Sequence, residues 1–211
     1  MIKKSILMIT PENEEINKFR RLQVNNFIQI TMPYLAAYVD ESKYNVYLID
    51  EYNQKIPFHL KFDLVVVTVN TANAFHCYEI ASVFKKSGSK VAFGGPHTTL
   101  VPEEAKEYCD FLIIGEAEDT WPQFLEDFYL GNAKEVYRCL KAPTLKHLPI
   151  PRRDLIKKRY FTKGSVFATR GCPYHCSYCN LKQIYEDSFR TRPIKEVIED
   201  IKSIKSKYFV F

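Results

Sequence analysis

The stretch Asp63–Asn70, Asp-Leu-Val-Val-Val-Thr-Val-Asn, constrains the fold more than any other part of the chain. Its β-branched residues favour a strand, and its apolar positions run consecutively where a half-exposed strand would alternate. A strand apolar on both faces must be covered on both, which is the situation of a parallel α/β sheet. Shorter apolar runs at Ser5–Thr10, Asn45–Asp50, Lys90–Phe93 and Phe111–Ile114 read as its neighbours. Helical stretches fall between them at Met32–Glu41, Ala74–Lys86, Glu103–Tyr108 and Trp121–Tyr129. The pattern predicts an α/β unit over residues 1–131, a Rossmann-like (flavodoxin-like) five-stranded parallel sheet with helices on both faces. Such sheets take ligands at the carboxyl ends of their strands, where Gly94-Gly95, His97 and Gly115 cluster.

Composition narrows the setting. Hydrophobic residues make up 46% of the 211, enough for a real core and too many for a disordered chain. The net charge of +5 comes from basic residues interleaved with acids, as in Glu199-Asp200-Ile201-Lys202. That mixture describes solvated helix faces and gives no track for nucleic acid. No run reaches the roughly 18 apolar residues of a membrane span. Ile6–Thr10 is only strand-length and is followed by Pro11 and acids, so Met1-Ile2-Lys3-Lys4 does not open a secretory signal. A cytoplasmic setting is expected, where thiols stay reduced and clustered cysteines serve metals or catalysis.

Residues 132–162 carry Pro143, Pro149 and Pro151 in a charged stretch without periodicity, and read as a linker. A second unit is expected over 163–211, with a strand at Ser165–Thr169, a cysteine loop, an amphipathic helix at Ile194–Ser206 and a strand at Tyr208–Phe211. This is one βαβ unit with nothing behind it. An apolar strand left unpaired is an aggregation hazard, so the expectation is a chain cut short of its full length.

Of six cysteines, Cys77, Cys109 and Cys139 are scattered and read, with Trp121, as core. Cys172, Cys176 and Cys179 are grouped in Arg170-Gly-Cys-Pro-Tyr-His-Cys-Ser-Tyr-Cys-Asn180. Three thiolates at Cys-x3-Cys-x2-Cys can wrap three corners of an iron–sulfur cubane and leave one iron open for chemistry. Structural zinc needs four ligands, commonly as two separated pairs. His175 or His147 is available as a fourth donor, but a second pair is lacking.

This loop closely resembles the signature of the radical S-adenosylmethionine (SAM) superfamily, Cys-x3-Cys-x-aromatic-Cys after the first strand of a partial (β/α) barrel. Tyr178 fills the aromatic position. The resemblance implies a [4Fe–4S] cluster on Cys172, Cys176 and Cys179, SAM chelated at the open iron, and Tyr178 near its adenine. It implies reductive cleavage of SAM to a 5′-deoxyadenosyl radical, fed by an electron donor such as flavodoxin or ferredoxin.

Upstream, Thr71–Ala81, Phe93-Gly-Gly-Pro-His97, Val101-Pro-Glu-Glu-Ala and Ile114-Gly-Glu-Ala-Glu118 follow, in order, the pattern of radical SAM enzymes with an N-terminal cobalamin-binding domain. Leu148–Asp154 and Phe189-Arg-Thr-Arg192 fit it too. The resemblance implies that Thr71, Gly94, Gly95, His97, Gly115 and Glu116 contact cobalamin. Glycines allow close backbone approach to a flat ligand, and Thr71 can hydrogen-bond a corrin side-chain amide. The Asp-x-His-x-x-Gly motif that supplies a histidine to cobalt is replaced by Asp50–Lys55, so the expected cobalamin lacks that lower ligand. His76 and His59 receive no role. The implied activity is cobalamin-dependent methylation of an unactivated carbon in a small-molecule substrate. Ring closure or rearrangement, a cobalamin-binding module without catalysis, and a relative of the tRNA methylthiotransferases are the alternatives. The last carries cysteines near its first strand, whereas the earliest here is Cys77.

Overall fold

The structure is a computed structural model that describes residues 3–13, 29–156, 164–185 and 188–204, with the backbone of 209–210. Strand β1 (Lys4–Thr10) and helix α1 (Thr31–Ala36) come first, then β2 (Tyr44–Asp50) and β3 (Leu64–Thr68). Helix α2 (Ala74–Lys86), β4 (Lys90–Gly94), the short helices α3 (Pro96–Leu100) and α4 (Pro102–Lys106), and β5 (Phe111–Ile114) follow. Helix α5 (Thr120–Leu130) and β6 (Val136–Arg138) complete the first unit. The strands form one sheet in the order β2-β1-β3-β4-β5-β6, parallel throughout. Its first five strands have the flavodoxin-like order.

Side chains alternate across this sheet with a period of two. Leu7, Ile9, Val65, Val67, Val91 and Phe93 face one way, against α2. Ile6, Met8, Leu64, Val66, Ala92 and Ile113 face the other, against α1 and α5. Helix α2 answers with Ala74, Cys77, Tyr78, Ala81 and Phe84 at helical spacing, all buried. Both layers of core exist because every central strand is apolar on both sides, as the Asp63–Asn70 run demanded.

The sheet has six strands where the sequence pattern gave five. Strand β6 lies inside the expected linker and pairs Leu112 with Val136 and Ile113 with Tyr137. Tyr137 is its anchor: buried against Phe124 at 5.3 Å between ring centroids, it donates its hydroxyl to Asp127 at 2.7 Å. A three-residue edge strand between Glu135 and Cys139 is too short to show a period in sequence.

The second unit begins with β7 (Gly164–Ser165), which pairs in parallel with β10 (Phe209–Val210) across helix α7 (Ile194–Ser203). This is the expected βαβ hand-off, with Val166, Val197 and Ile204 as its small core. The expected strand at Ser165–Thr169 is broken in two. Its second half is β8 (Thr169–Gly171), which forms an antiparallel hairpin with β9 (Phe189–Thr191) and is followed by the short helix α6 (Leu181–Tyr185). The ends of the expected helix and strand at Lys205, Ser206, Tyr208 and Phe211 lie outside the described residues. Buried Asp200 ties α7 down: it accepts from Arg192 at 2.9 Å and lies 2.8 Å from Arg153. Among the described residues no helix is long and apolar enough to cross a membrane.

Gly95 is required by the sheet itself. Its φ of 108° and ψ of −178° belong to a region open essentially to glycine. A Cβ there would stand 2.8 Å from the Val69 carbonyl oxygen and 3.0 Å from Thr68 Oγ1. The close approach that the sequence suggested for a ligand is made first by the neighbouring strand end. Gly95→Ala is expected to cost about 1–3 kcal/mol, read as a lower urea midpoint with unchanged slope.

Candidate cofactor site

A cavity of about 290 Å3 opens at the carboxyl edge of the sheet. Its floor is Val66 and Thr68 of β3, Gly94 and Gly95 after β4, and Ile113 of β5. Tyr34 and Leu35 of α1 and Trp121 of α5 close one side. Phe167, Arg170, Ile184 and Tyr185 of the second unit close another. The walls are mainly apolar with a few convergent polar groups, the usual make-up of a small-molecule crevice. It lies where a parallel sheet offers one, displaced from the β1/β3 switch point toward β4 and β5.

The charged part of the wall is the turn after β5. Gly115 takes φ 81°, and a Cβ there would come 3.0 Å from Cys139 Cβ. This turn aims Glu116 and Glu118 at the second unit, and both are buried. Arg170 Nη1 donates to Glu116 Oε2 at 2.6 Å and to Glu118 Oε1 at 2.5 Å. Arg190 Nη2 donates to Glu116 Oε1, and its Nη1 donates to the Pro143 carbonyl at 2.6 Å. The Tyr34 hydroxyl donates to Glu118 Oε1 at 2.9 Å. Burial works against the Arg170 charge, but the carboxylates of Glu118 and Glu116 outweigh it and raise its pKa above the ordinary value. Burial, with the Glu118 charge adding to it, pushes the Tyr34 hydroxyl far above the usual tyrosine range, so it stays a donor. Two guanidinium groups stand over the Phe167 ring, Arg170 Cζ at 4.9 Å and Arg192 Cζ at 4.8 Å from its centroid.

Of the residues expected to contact cobalamin, Gly94, Gly95, Gly115 and Glu116 line the cavity. Thr71 and His97 stand outside its lining and are bonded to each other. Thr71 is exposed on the same edge, and His97 is buried beneath it. The Tyr78 hydroxyl donates to the Glu104 carboxylate at 2.9 Å, which can only accept. The Tyr78 oxygen is then an acceptor for His97 Nε2 at 2.9 Å. His97 Nδ1 and the Thr71 hydroxyl are paired at 3.2 Å, and the Thr71 oxygen keeps a lone pair in either direction of that bond. Thr71 thus offers the edge a lone pair, suited to a carboxamide N–H. Phe75, 81% exposed, adds an apolar surface there. His76, without a role in the sequence reading, donates Nε2–H to Glu51 at 2.7 Å, and this bond raises its pKa against the effect of burial.

Cys172, Cys176 and Cys179 are free thiols on the loop closed by the β8–β9 hairpin. Gly171 seals that closure, since a Cβ there would fall 1.6 Å from the Ser188 carbonyl oxygen. The Cys179 amide donates to the Cys176 carbonyl at 3.0 Å, a tight turn between two of the thiols. Among the described residues no three His, Cys, Asp or Glu side chains are gathered closely enough to hold a metal ion. The donor set fits an iron–sulfur cluster, and its ends are pinned, but its thiols are not drawn together. Tyr178 is 87% exposed on the same loop. The scattered cysteines are of another kind. Burial pushes the Cys77 and Cys109 thiols up to about 12, while Cys139 is only partly buried beside Gly115.

Comparison with known proteins meets this geometry at the first unit. Residues 25–125 match the family model described as the B12 binding domain. The chain is 31% identical over 175 residues to the bacteriochlorophyllide d C-8(2)-methyltransferase of Chlorobaculum tepidum, covering 79% of this chain and 39% of that protein. It is 31% identical to the C-12(1)-methyltransferase of the same organism over 67% of this chain and 32% of that one. To an uncharacterized methyltransferase of Pyrococcus horikoshii it is 25% identical over 96% of this chain and 51% of that one. The chain therefore spans about half or less of the length of these curated relatives.

Thiol chemistry separates the two kinds of cysteine. On brief anaerobic alkylation of the folded protein before any iron and sulfide are supplied, the exposed Cys176 is expected to react readily. Cys77 and Cys109 are expected to lag more than about tenfold, because each unit of raised pKa removes tenfold of the thiolate. Peptide mass spectrometry reads the order.

Proposed function

We propose that this chain is the cofactor-holding front of a cobalamin-dependent radical SAM enzyme that methylates an unactivated carbon of a small molecule. The observation that carries the reading is the position of one crevice. It is built by the unit matching the B12 binding domain and walled on its far side by the hairpin bearing Cys172, Cys176 and Cys179. The printed names of the relatives, methyltransferases, support the reaction class.

A crevice of about 290 Å3 is at the small end for ligand sites. It suits part of a large cofactor, with the remainder over the open edge at Thr71 and Phe75. Gly94, Gly95, Gly115 and Glu116 would line the buried part, and Thr71 would accept from a carboxamide. Cys172, Cys176 and Cys179 would hold a [4Fe–4S] cluster with one iron free for SAM, and Tyr178 would flank the adenine. When bound, these groups supply one-electron cleavage of SAM and a cobalt-borne methyl group. The chain's own work is to hold them adjacent, in the second unit and the first, and to keep water from the shared wall. A flavodoxin or ferredoxin would deliver the electron.

The family match lies in residues 25–125, the first unit, and a module that binds cobalamin without a cluster is the second reading. Anaerobic reconstitution with iron and sulfide distinguishes the two. The first reading expects oxygen-sensitive thiolate-to-iron absorbance and bound iron, abolished when all three loop cysteines become alanine. Stoichiometric zinc in place of iron, or absorbance that persists in the triple variant, contradicts it.

A further inference from the structure

We propose that Arg170 and Arg190 are positioning residues: gripped by Glu116 and Glu118, they fix the cysteine loop against the crevice, so that filling the crevice steadies the loop. The second half of this rests on the cobalamin reading; the first does not.

The two arginines are direct partners in the hairpin register, Arg170 opposite Arg190. Like charges placed directly across an antiparallel pair repel, so this hairpin carries a built-in penalty. Glu116 removes it by taking one arginine on each carboxylate oxygen. Glu118 takes a second bond from Arg170. The group sets two buried acids against two half-buried bases, and half of it belongs to each unit. The hairpin is therefore stable only where the turn after β5 can reach it.

The same hairpin closes the cysteine loop, since Gly171 pairs with Phe189 immediately before Cys172. The same arginine lines the crevice, as does Phe167, whose ring both Arg170 and Arg192 contact. A ligand pressed against Phe167 and Arg170 binds only the docked hairpin, and by linkage it lowers the population of undocked loop. Arg190 lies outside the cavity lining and meets the crevice wall only through Glu116.

Hydrogen–deuterium exchange on the whole chain, with hydroxocobalamin as the probe, tests both halves. Without ligand, Arg190→Gln is expected to speed exchange of the amides at 169–171 and 189–191 at least about tenfold, as when a buried charge loses its partner. The amides of β1–β5 are expected to stay as in the wild type. Arg190→Lys keeps the charge and loses the fork, so it is expected to fall between. Hairpin exchange indistinguishable from wild type in both variants overturns the grip. With hydroxocobalamin loaded, seen in its visible spectrum, wild-type hairpin exchange is expected to slow severalfold, and that of Arg190→Gln to slow less. Loading without any slowing in the wild type overturns the coupling. Failure of the wild type to load overturns the cobalamin reading and the coupling with it, while the unliganded comparison still judges the grip.

Discussion

The ion-pair group of Glu116, Glu118, Arg170 and Arg190 is the interaction on which the arrangement of the two units depends. Two buried carboxylates cost several kcal/mol each to take out of water, and the half-buried arginines offset this only in good geometry. Such a group adds little net stability over apolar packing. What it adds is a definite place for the hairpin, because every other docking leaves two arginines facing each other across a strand pair. The sheet stands on its own two apolar layers; the cysteine loop stands on this group.

A consequence is that the crevice is a joint product. Its floor comes from the strand ends, where Gly95 lets β3 and β4 finish side by side and Gly115 turns the acids outward. Its far wall comes from Phe167 and Arg170, some fifty residues further on. Tyr34 reaches both, through its bond to Glu118 and its edge-on contact with Phe167 at 5.6 Å. A cofactor in that space would touch the unit that resembles B12-binding proteins and the unit that carries the thiols at once, which is what a reaction using two cofactors requires.

Much of the fold was legible in sequence because its strongest signals are local. The valine run of β3 announced a buried parallel strand, and the spacing of Ala74, Cys77, Tyr78, Ala81 and Phe84 announced the face of α2. Strand β6 was not legible, since three residues show no period and its anchor, Tyr137, is defined only by contact with Phe124. The site was half legible. Glycines at strand ends pointed to the right edge, but nothing local told that Gly95 answers to Val69 before any ligand, or that His97 turns inward to Tyr78. The acids of Gly-Glu-Ala-Glu marked the right rim, with Glu116 expected at cobalamin, but nothing near them in sequence named the arginines they hold. Their arginine partners lie between 52 and 74 residues away, and no spacing rule spans that distance.

The central claim, that cobalamin enters this crevice, is tested most directly through Trp121. It is the chain's single tryptophan and it lines the cavity. Titration with hydroxocobalamin under anaerobic conditions should quench its emission to a saturating limit at one equivalent, because a bound corrin absorbs where indole emits. Emission that falls only in proportion to the corrin's own absorbance, with no saturation, would contradict the account.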